Sequence, residues 1–248
     1  MFRKFLIFAT IISMGFAAAV FAFRYRNDIA PTDIPQNTQS TVPPQDYNSK
    51  PNSDTTEVNL AVPFILESPE GSWKGPWINA CEEASMTMVE NYYQGNTTVS
   101  NSDAQKFMEG LFAYEDAQYG SNANSDANRT VQIINNKTSY HGTIKLNPTI
   151  DDIKNELRAG HPVISLHYGF DLHNNNIPFA VHGSYYHMLV IKGFDDSKHA
   201  FITNDDGDKI TGADHLYDYD QLMVSIHDYN TATHKTDGTP TVIFTSKN

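Results

Sequence analysis

The chain's single cysteine, Cys81, lies where a helical pattern begins. In the stretch INACEEASMTMVENYY, apolar and small residues recur at helical spacing from Cys81 to Tyr92. Asn79, with Glu82 three residues later, fits a capping box and would place Cys81 in the first turn. A helix N-terminus and a nearby imidazolium lower the pKa of a thiol, and the thiolate is the nucleophilic form. Cys81 is therefore a candidate nucleophile that needs a histidine.

His187 is the best placed of the ten histidines. It begins an apolar strand in SYYHMLVIKGFDD, and a rigid strand end holds a catalytic side chain well. The turn DDSK predicts a hairpin that places His187 opposite residue 206. Asn204 and Asp205 would lie beside that position, and either could orient the imidazole. Because a slip of one residue exchanges the two, the sequence leaves both open.

The predicted elements put helices early and strands late. We expect strands at 59–66, 162–168, 186–194, 199–204 and 241–246, and helices from 79 onward, at 100–114, at 149–160 and at 217–229. Residues 121–137 are ambiguous, and 169–186 is predicted to be a flexible loop beside the site. Glu82 and Glu83 are predicted on a solvated helix face. This order favours an α+β fold in which a helical N-terminal part packs on an antiparallel sheet.

The N-terminal region differs in composition from the rest. Residues 5–23 are uncharged and mostly apolar, and as a helix they would extend roughly 28 Å, about one hydrocarbon core. Small residues near the end of this run also suit a signal peptidase. We therefore expect residues 1–27 to be a signal peptide or membrane anchor. Residues 28–58 contain five prolines and are expected to form a disordered linker. Residues 59–248 are expected to form a domain that is exported and is either anchored to the membrane or secreted.

Composition restricts the partners and cofactors. The net charge of -12 argues against a nucleic-acid partner, and one cysteine excludes an internal disulfide or a cysteine-based zinc site. His167, His173 and His182 lie near one another and near Asp171, but they lack the helical spacing of zinc motifs. We expect neither a metal nor a cofactor, and membrane contact only through the N-terminal segment. The oligomeric state is not indicated.

Several stretches together resemble a known family. VPFILESPEGSW, ACEEASMTMVENYY, HMLVIKGFDD, ITNDDG and YDYDQLMVSIHDYN are similar to papain-like cysteine peptidases of family 39, the group related to bacteriocin-leader processing, and most of all to its stand-alone exported bacterial members. The resemblance spans roughly 60–230. It implies a papain-like fold and a triad in which Cys81 is the nucleophile, His187 the general base and Asp205 the orienting acid.

One departure from that family concerns the oxyanion donor. Family members usually have a glutamine shortly before the cysteine, whereas no glutamine lies between residues 46 and 93 of this chain. Glu67, Ile78 and Asn79 occupy the corresponding places. The backbone N–H of Cys81 and the side chain of Asn79 are the candidate donors.

The expected function is hydrolysis of peptide bonds in a peptide or protein substrate. This requires the sulfur of Cys81 within about 4 Å of a His187 ring nitrogen, at the edge of a groove open to solvent. Two alternatives remain: an inactive peptide-binding module of the same fold, and a cell-wall peptidoglycan endopeptidase or amidase of the NlpC kind. Considered without the other residues, a free cysteine such as Cys81 is more often an unreactive buried thiol than a nucleophile.

Overall fold

The computed structural model describes residues 54–177 and 185–248. The helices are α1 (Cys81–Tyr93), α2 (Asn101–Tyr119), α3 (Ala127–Lys137), α4 (Ile150–Arg158) and α5 (Tyr219–Ser225), with short 3-10 helices at Gly75–Ile78 and Gly169–Leu172. The strands are β1 (Glu57–Asn59), β2 (Tyr140–Leu146), β3 (Val163–Tyr168), β4 (Tyr186–Asp195), β5 (Ala200–Asn204), β6 (His215–Asp218) and β7 (Thr241–Lys247). The predicted α+β class is confirmed.

The strands form one antiparallel sheet in the order β2-β7-β3-β4-β5-β6. β4 is the central strand, and all of its residues are buried. Its first half pairs with β3, and β1 pairs with its last three residues, beyond the end of β3. A strand covered on both faces needs a continuous apolar sequence, and MLVIKGF supplies most of one. The start of β4, where His187 lies, is paired with β3, with His187 opposite His167.

Helix α1 packs against β4 and α2. All of its residues except Asn91 are buried, and Met86, Met88 and Val89 have no exposed surface. The predicted packing of the nucleophile helix on the antiparallel sheet is thus confirmed. Because α1 and β4 touch along their length, the first turn of α1 meets the start of β4.

Local signals bound α2 and α4; α4 lies as predicted, whereas α2 extends to Tyr119, five residues beyond its predicted end. The side chain of Ser100 accepts a hydrogen bond from the Asp103 N–H at the start of α2. Thr149 and Asp152 form a reciprocal capping box at the start of α4. Both α2 and α4 are followed by glycines with positive φ, Gly120 at 77° and Gly160 at 84°. These helices are determined by their own sequences.

Some predicted elements have different bounds. Strands β2 and β6 were not predicted, because both lie at sheet edges and are only partly buried, which weakens their apolar pattern. The ambiguous segment contains α3, and the helix expected at 217–229 is the shorter α5. The strand expected at 59–66 is wrong except at Asn59, the last residue of β1, and the other two residues of β1, Glu57 and Val58, belong to the predicted linker. Pro63 follows β1, and proline has no N–H for a strand ladder.

The predicted signal peptide or anchor, residues 1–27, and most of the predicted linker lie outside the described residues. Within 54–177 and 185–248, no helix combines the length and apolar character needed to cross a membrane.

A substitution at Gly193 tests how closely β1 approaches β4. A Cβ at this position would lie 2.2 Å from the Val58 carbonyl oxygen and 3.0 Å from the Asn59 Cα. We expect Gly193→Ala to lower the free energy of unfolding by about 1–3 kcal/mol in urea denaturation, because backbone must move to relieve the clash. Gly110→Ala, on the exposed surface of α2 with no atom within 4 Å, is the control and should add about 0.5–1 kcal/mol. An unchanged urea midpoint for Gly193→Ala would contradict this packing.

Candidate active site

The structure brings Cys81 and His187 together with a third residue, Glu67. One side-chain atom from each, the Sγ of Cys81, a ring nitrogen of His187 and a carboxyl oxygen of Glu67, all lie within 4.8 Å of one another. Cys81 begins α1, His187 is the second residue of β4, and Glu67 belongs to the segment between β1 and α1. A thiol and an imidazole at this separation can exchange a proton after a small side-chain movement.

Asp205 lies behind His187 as its hydrogen-bond partner. The Nε2 of His187 is 2.8 Å from Oδ1 of Asp205. The other oxygen, Oδ2, accepts a hydrogen bond from the Tyr217 hydroxyl at 2.5 Å and one from the Asn174 side chain at 3.4 Å. Burial opposes ionisation of Asp205, but the charge of His187 and these hydrogen bonds outweigh it and lower its pKa. Because this carboxylate can only accept, the Nε2 of His187 carries the proton.

The pairing of β4 with β5 separates the two residues that could orient His187. Val190 pairs with Asn204, one residue later than the predicted register, and a bulge interrupts the pairing between Ile191 and Gly193. The expected pairing of His187 with residue 206 is therefore wrong. Asn204 instead donates to the carbonyl oxygens of Val62 and Pro63, at 3.1 and 3.3 Å. It holds the segment that leads to Glu67.

Asn79 lies in a different environment from the one predicted. The N-cap of α1 is Ala80, which makes no side-chain cap hydrogen bond, so the predicted capping box is wrong. Asn79 instead follows the 3-10 helix Gly75–Ile78, and its N–H binds the Pro76 carbonyl oxygen. The 3-10 helix runs directly into α1 and leaves no extended residue to act as a cap. The side chain of Asn79, the predicted oxyanion donor, is exposed, whereas Cys81 and His187 are buried.

Glu82 and Glu83 are buried, each with 2% of its surface exposed, so their predicted placement on a solvated face is wrong. The Cys81 thiol donates to Oε2 of Glu82 at 3.1 Å, and the Ser125 N–H donates to Oε1 at 2.8 Å. Burial and the buried Glu115 on α2 raise the pKa of Glu83. The helical spacing of apolar residues in α1 predicted one buried face, but in the tertiary structure neighbouring segments cover the helix on all sides.

The acidic neighbours of Cys81 determine its protonation. Burial raises the pKa of the Cys81 thiol well above its usual value, and the negative charge of the neighbouring Glu82 raises it further. The expectation that the helix N-terminus lowers this pKa is therefore wrong, because one helix end is weaker than burial beside Glu82. Glu82 itself has its pKa raised to about 6, mainly by burial. At neutral pH, Cys81 is a thiol that hydrogen-bonds to an ionised Glu82.

Asp206 adds a further buried acid to the site. Ser85 donates to its Oδ2 at 3.1 Å, and its Oδ1 lies 3.9 Å from the Nε2 of His187. Burial, Glu67 and Asp205 raise its pKa well above the usual value. Asp206 is thus neutral while its neighbour Asp205 is ionised, because the hydrogen bonds from His187 and Tyr217 go to Asp205.

The site is covered, which differs from the open groove expected from the sequence. Cys81 exposes 3% and His187 exposes 2% of its surface. Ile177 lies near the His187 ring: a Cβ on Gly207 would be 3.1 Å from the His187 Cε1 and 3.3 Å from the Ile177 Cγ2. Surface depressions of about 410 and 580 Å³ lie elsewhere, beside α2 and at the start of α4. Substrate can therefore reach Cys81 only after a local rearrangement.

Asn174 and Asn176 fix the segment that carries Ile177. Both donate to Oδ2 of Asp208, at 3.2 and 3.1 Å. Because Asp208 is buried, these hydrogen bonds anchor the segment to the protein interior.

The three histidines considered as metal ligands, His167, His173 and His182, do not form a cluster in the described residues. His167 is buried, with its ring nitrogens 2.8 Å from the Ser225 hydroxyl and 2.7 Å from the Ser165 hydroxyl. Burial lowers its pKa to about 3, so the ring is neutral. His173 is exposed, and His182 lies outside the described residues. The groups that could hold a metal include Glu67, Cys81 and His187 themselves, so a metal bound there would occupy the atoms of the proposed reaction.

The fold and this arrangement define a class. A cysteine at the start of a central helix, a histidine on the facing strand of an antiparallel sheet and a carboxylate behind that histidine are the papain-like combination. The profile of the Peptidase_C39-like family matches residues 59–235, and the chain belongs to that family. The resemblance found in the sequence is confirmed.

A solved structure offers a further comparison. A protein from Bacillus anthracis, described as a candidate C39-like peptidase, is 16% identical, with a TM-score of 0.47, over 77% of this chain and 98% of that one. No curated protein matches the chain significantly.

The hydrogen bond from Cys81 to Glu82 gives a prediction about thiol reactivity. Glu82→Gln removes a negative charge beside the sulfur and should lower the pKa of Cys81, with about tenfold more thiolate for each unit of lowering. We expect faster alkylation by iodoacetamide at pH 8, followed by mass spectrometry. Glu90→Gln is the matched control, since Glu90 is also buried on α1 and also accepts a backbone N–H, that of Ser139. Equal alkylation rates in Glu82→Gln and wild type would contradict the electrostatic account.

Proposed function

We propose that the protein is a cysteine peptidase that hydrolyses peptide bonds with Cys81 as nucleophile, His187 as general base and Asp205 as the residue that orients the imidazole. The observation that carries the proposal is the position of His187 between the other two residues. Its Nε2 is 2.8 Å from Asp205, and a nitrogen of its ring lies within 4.8 Å of the Cys81 sulfur. Membership of a peptidase-like family supports the same reaction.

The acylation step follows from the protonation states. Because Nε2 of His187 carries a proton toward Asp205, Nδ1 is the basic nitrogen that accepts the proton of the Cys81 thiol. The sulfur then forms a bond to the substrate's carbonyl carbon, and the C=O π electrons move to oxygen. When those electrons return, the C–N bond breaks and the amine leaves with the proton from Nδ1. Asp205 stays ionised and stabilises the imidazolium.

Hydrolysis of the thioester uses the same groups. His187 takes a proton from water as the oxygen attacks the acyl carbon, and the carbon–sulfur bond breaks when the second tetrahedral intermediate collapses. The sulfur recovers its proton from His187, and the acid product leaves. Since the pKa of Cys81 is raised, the nucleophile forms only as its proton moves to His187, and no stable thiolate precedes substrate.

The substrate in this proposal is a peptide or a protein segment, and the domain acts outside the cytoplasm. Residues 1–27 would export it, as a cleaved signal peptide or as an anchor through residues 5–23, and 28–58 would separate the domain from the membrane. The net charge of -12 favours a peptide over a nucleic acid as partner. Binding requires the local rearrangement that exposes Cys81.

A second candidate function is supported by one observation. The raised pKa of Cys81 and its 3% exposure suit an inactive peptide-binding module as well as an enzyme with a gated site. A peptidoglycan endopeptidase or amidase would use the same three residues, so its substrate is what separates it from a protein-directed peptidase.

The proposal is tested by hydrolysis of fluorescein-labelled casein and, in parallel, of muropeptides. Cys81→Ser should abolish hydrolysis, and Asp205→Asn should lower kcat by about 10²–10⁴-fold because the imidazole loses its fixed tautomer. Asp237→Asn, an exposed acid, is the control and should retain wild-type kcat. Release of muropeptide fragments but not of casein peptides would identify the cell-wall enzyme. If neither probe is hydrolysed in a Cys81-dependent reaction, the inactive peptide-binding module is the interpretation that remains.

A further inference from the structure

Glu67 is a buried acid with an unassigned role beside the nucleophile. Its carboxyl oxygen lies within 4.8 Å of both the Cys81 sulfur and a His187 ring nitrogen, and only 8% of the residue is exposed. Its N–H donates to the Asp206 carbonyl oxygen at 3.1 Å, and Asn204 holds the backbone at Val62 and Pro63 just before it. Glu67 is therefore positioned by the same segment that supplies Asp205.

The surroundings of Glu67 favour its neutral form. Burial raises its pKa well above the usual value, and the charges of Asp205 and Glu82 raise it further. Asp205 stays ionised because His187 and Tyr217 hydrogen-bond to it. With one ionised carboxylate fixed in this pocket, ionising Glu67 as well would place two like charges in a low-dielectric site. A neutral carboxyl differs from an ionised one in having an O–H donor.

A donor at this position can reach the oxygen of a tetrahedral intermediate. The oxyanion is bonded to the carbon that the sulfur attacks and so forms beside Sγ, and the Glu67 carboxyl oxygen lies within 4.8 Å of Sγ. A donor aimed at that oxygen stabilises the charge that develops in the transition state. Neutral carboxylic acids held in apolar sites are known to act as such donors.

We propose that Glu67, as a neutral carboxylic acid, donates its O–H to the oxyanion formed when Cys81 attacks the substrate, and is thus a further catalytic residue. This role rests on the proposed function. The O–H forms a hydrogen bond and is not transferred: when the electron pair on oxygen re-forms the C=O bond and the C–N bond breaks, Glu67 keeps its proton.

A consequence is that activity depends on the protonation of Glu67. The groups that face Glu67 are Cys81 and Glu82 from α1, His187 from β4, and Asp205 and Asp206 from the segment after β5. Loss of the Glu67 proton would replace a donor with a charge that repels the oxyanion. Activity therefore falls as pH rises through the pKa of Glu67.

The test compares Glu67→Gln and Glu67→Ala with wild type in casein hydrolysis from acidic to alkaline pH. Gln keeps the shape and an N–H donor at every pH. Above the pKa of Glu67, the ratio of kcat/KM for Glu67→Gln to that of wild type should therefore rise about tenfold per pH unit. Below the pKa of Glu67, Glu67→Ala should lose about 10²–10³-fold in kcat relative to wild type, and this loss should shrink as pH rises through that pKa. Glu70→Gln, an exposed acid of the same segment, should follow the wild-type profile.

Parallel pH profiles for wild type and Glu67→Gln would overturn this inference while leaving the peptidase intact. Absence of Cys81-dependent hydrolysis in both proteins would instead overturn the proposed function, and this role with it. Infrared spectra provide a readout that needs no turnover. The protonated-carboxyl C=O absorbance at neutral pH should be weaker in Glu67→Gln than in wild type and unchanged in Glu70→Gln, with Asp206 also contributing in each. If both variants keep the full wild-type band, Glu67 is ionised and the inference fails.

Discussion

The hydrogen bond between His187 and Asp205 determines the chemistry of the site. It is formed in an almost fully buried environment, where a charge-assisted bond is strong and an unpaired carboxylate is costly. It keeps Asp205 ionised and fixes the proton of His187 on Nε2. Nδ1 is consequently the nitrogen left to act as a base, and the His187 ring lies within 4.8 Å of the Cys81 sulfur. Much of the fold around the site, including Tyr217, maintains this one pair.

The other acids in the pocket respond to that fixed charge. Because Asp205 is ionised, burial and repulsion keep Asp206 and Glu67 neutral. Neutral acids are donors, and Asp206 lies beside His187 while Glu67 lies beside the sulfur. Glu82 has a less strongly raised pKa, since the Ser125 N–H and the Cys81 thiol both donate to it. The imidazole thus favours the ionised form of Asp205, and the charge of Asp205 together with burial favours the neutral forms of Asp206 and Glu67.

Local sequence predicted the elements that are stabilised by local interactions. Helix α4 has its own capping box, acidic first turn and terminal glycine, so its bounds follow from about a dozen residues. Strand β4 is apolar because it is central. The edge strands β2 and β6 have no such signal, since half of each is exposed and the pairing partner determines whether they form. The register between β4 and β5 was also misassigned, because a bulge near Gly193 is decided by the approach of β1.

The sequence alone determined that this chain places a cysteine at the start of a buried helix and a histidine at the start of a central strand. Helical and strand periodicity are local properties, and the family resemblance reflects the same residues. Only the tertiary structure decided that Asp205 rather than Asn204 meets the imidazole, that Glu82 is buried against the thiol, and that Glu67 completes the pocket. Each of these depends on contacts between distant segments, and the pKa values depend on how completely those contacts exclude water.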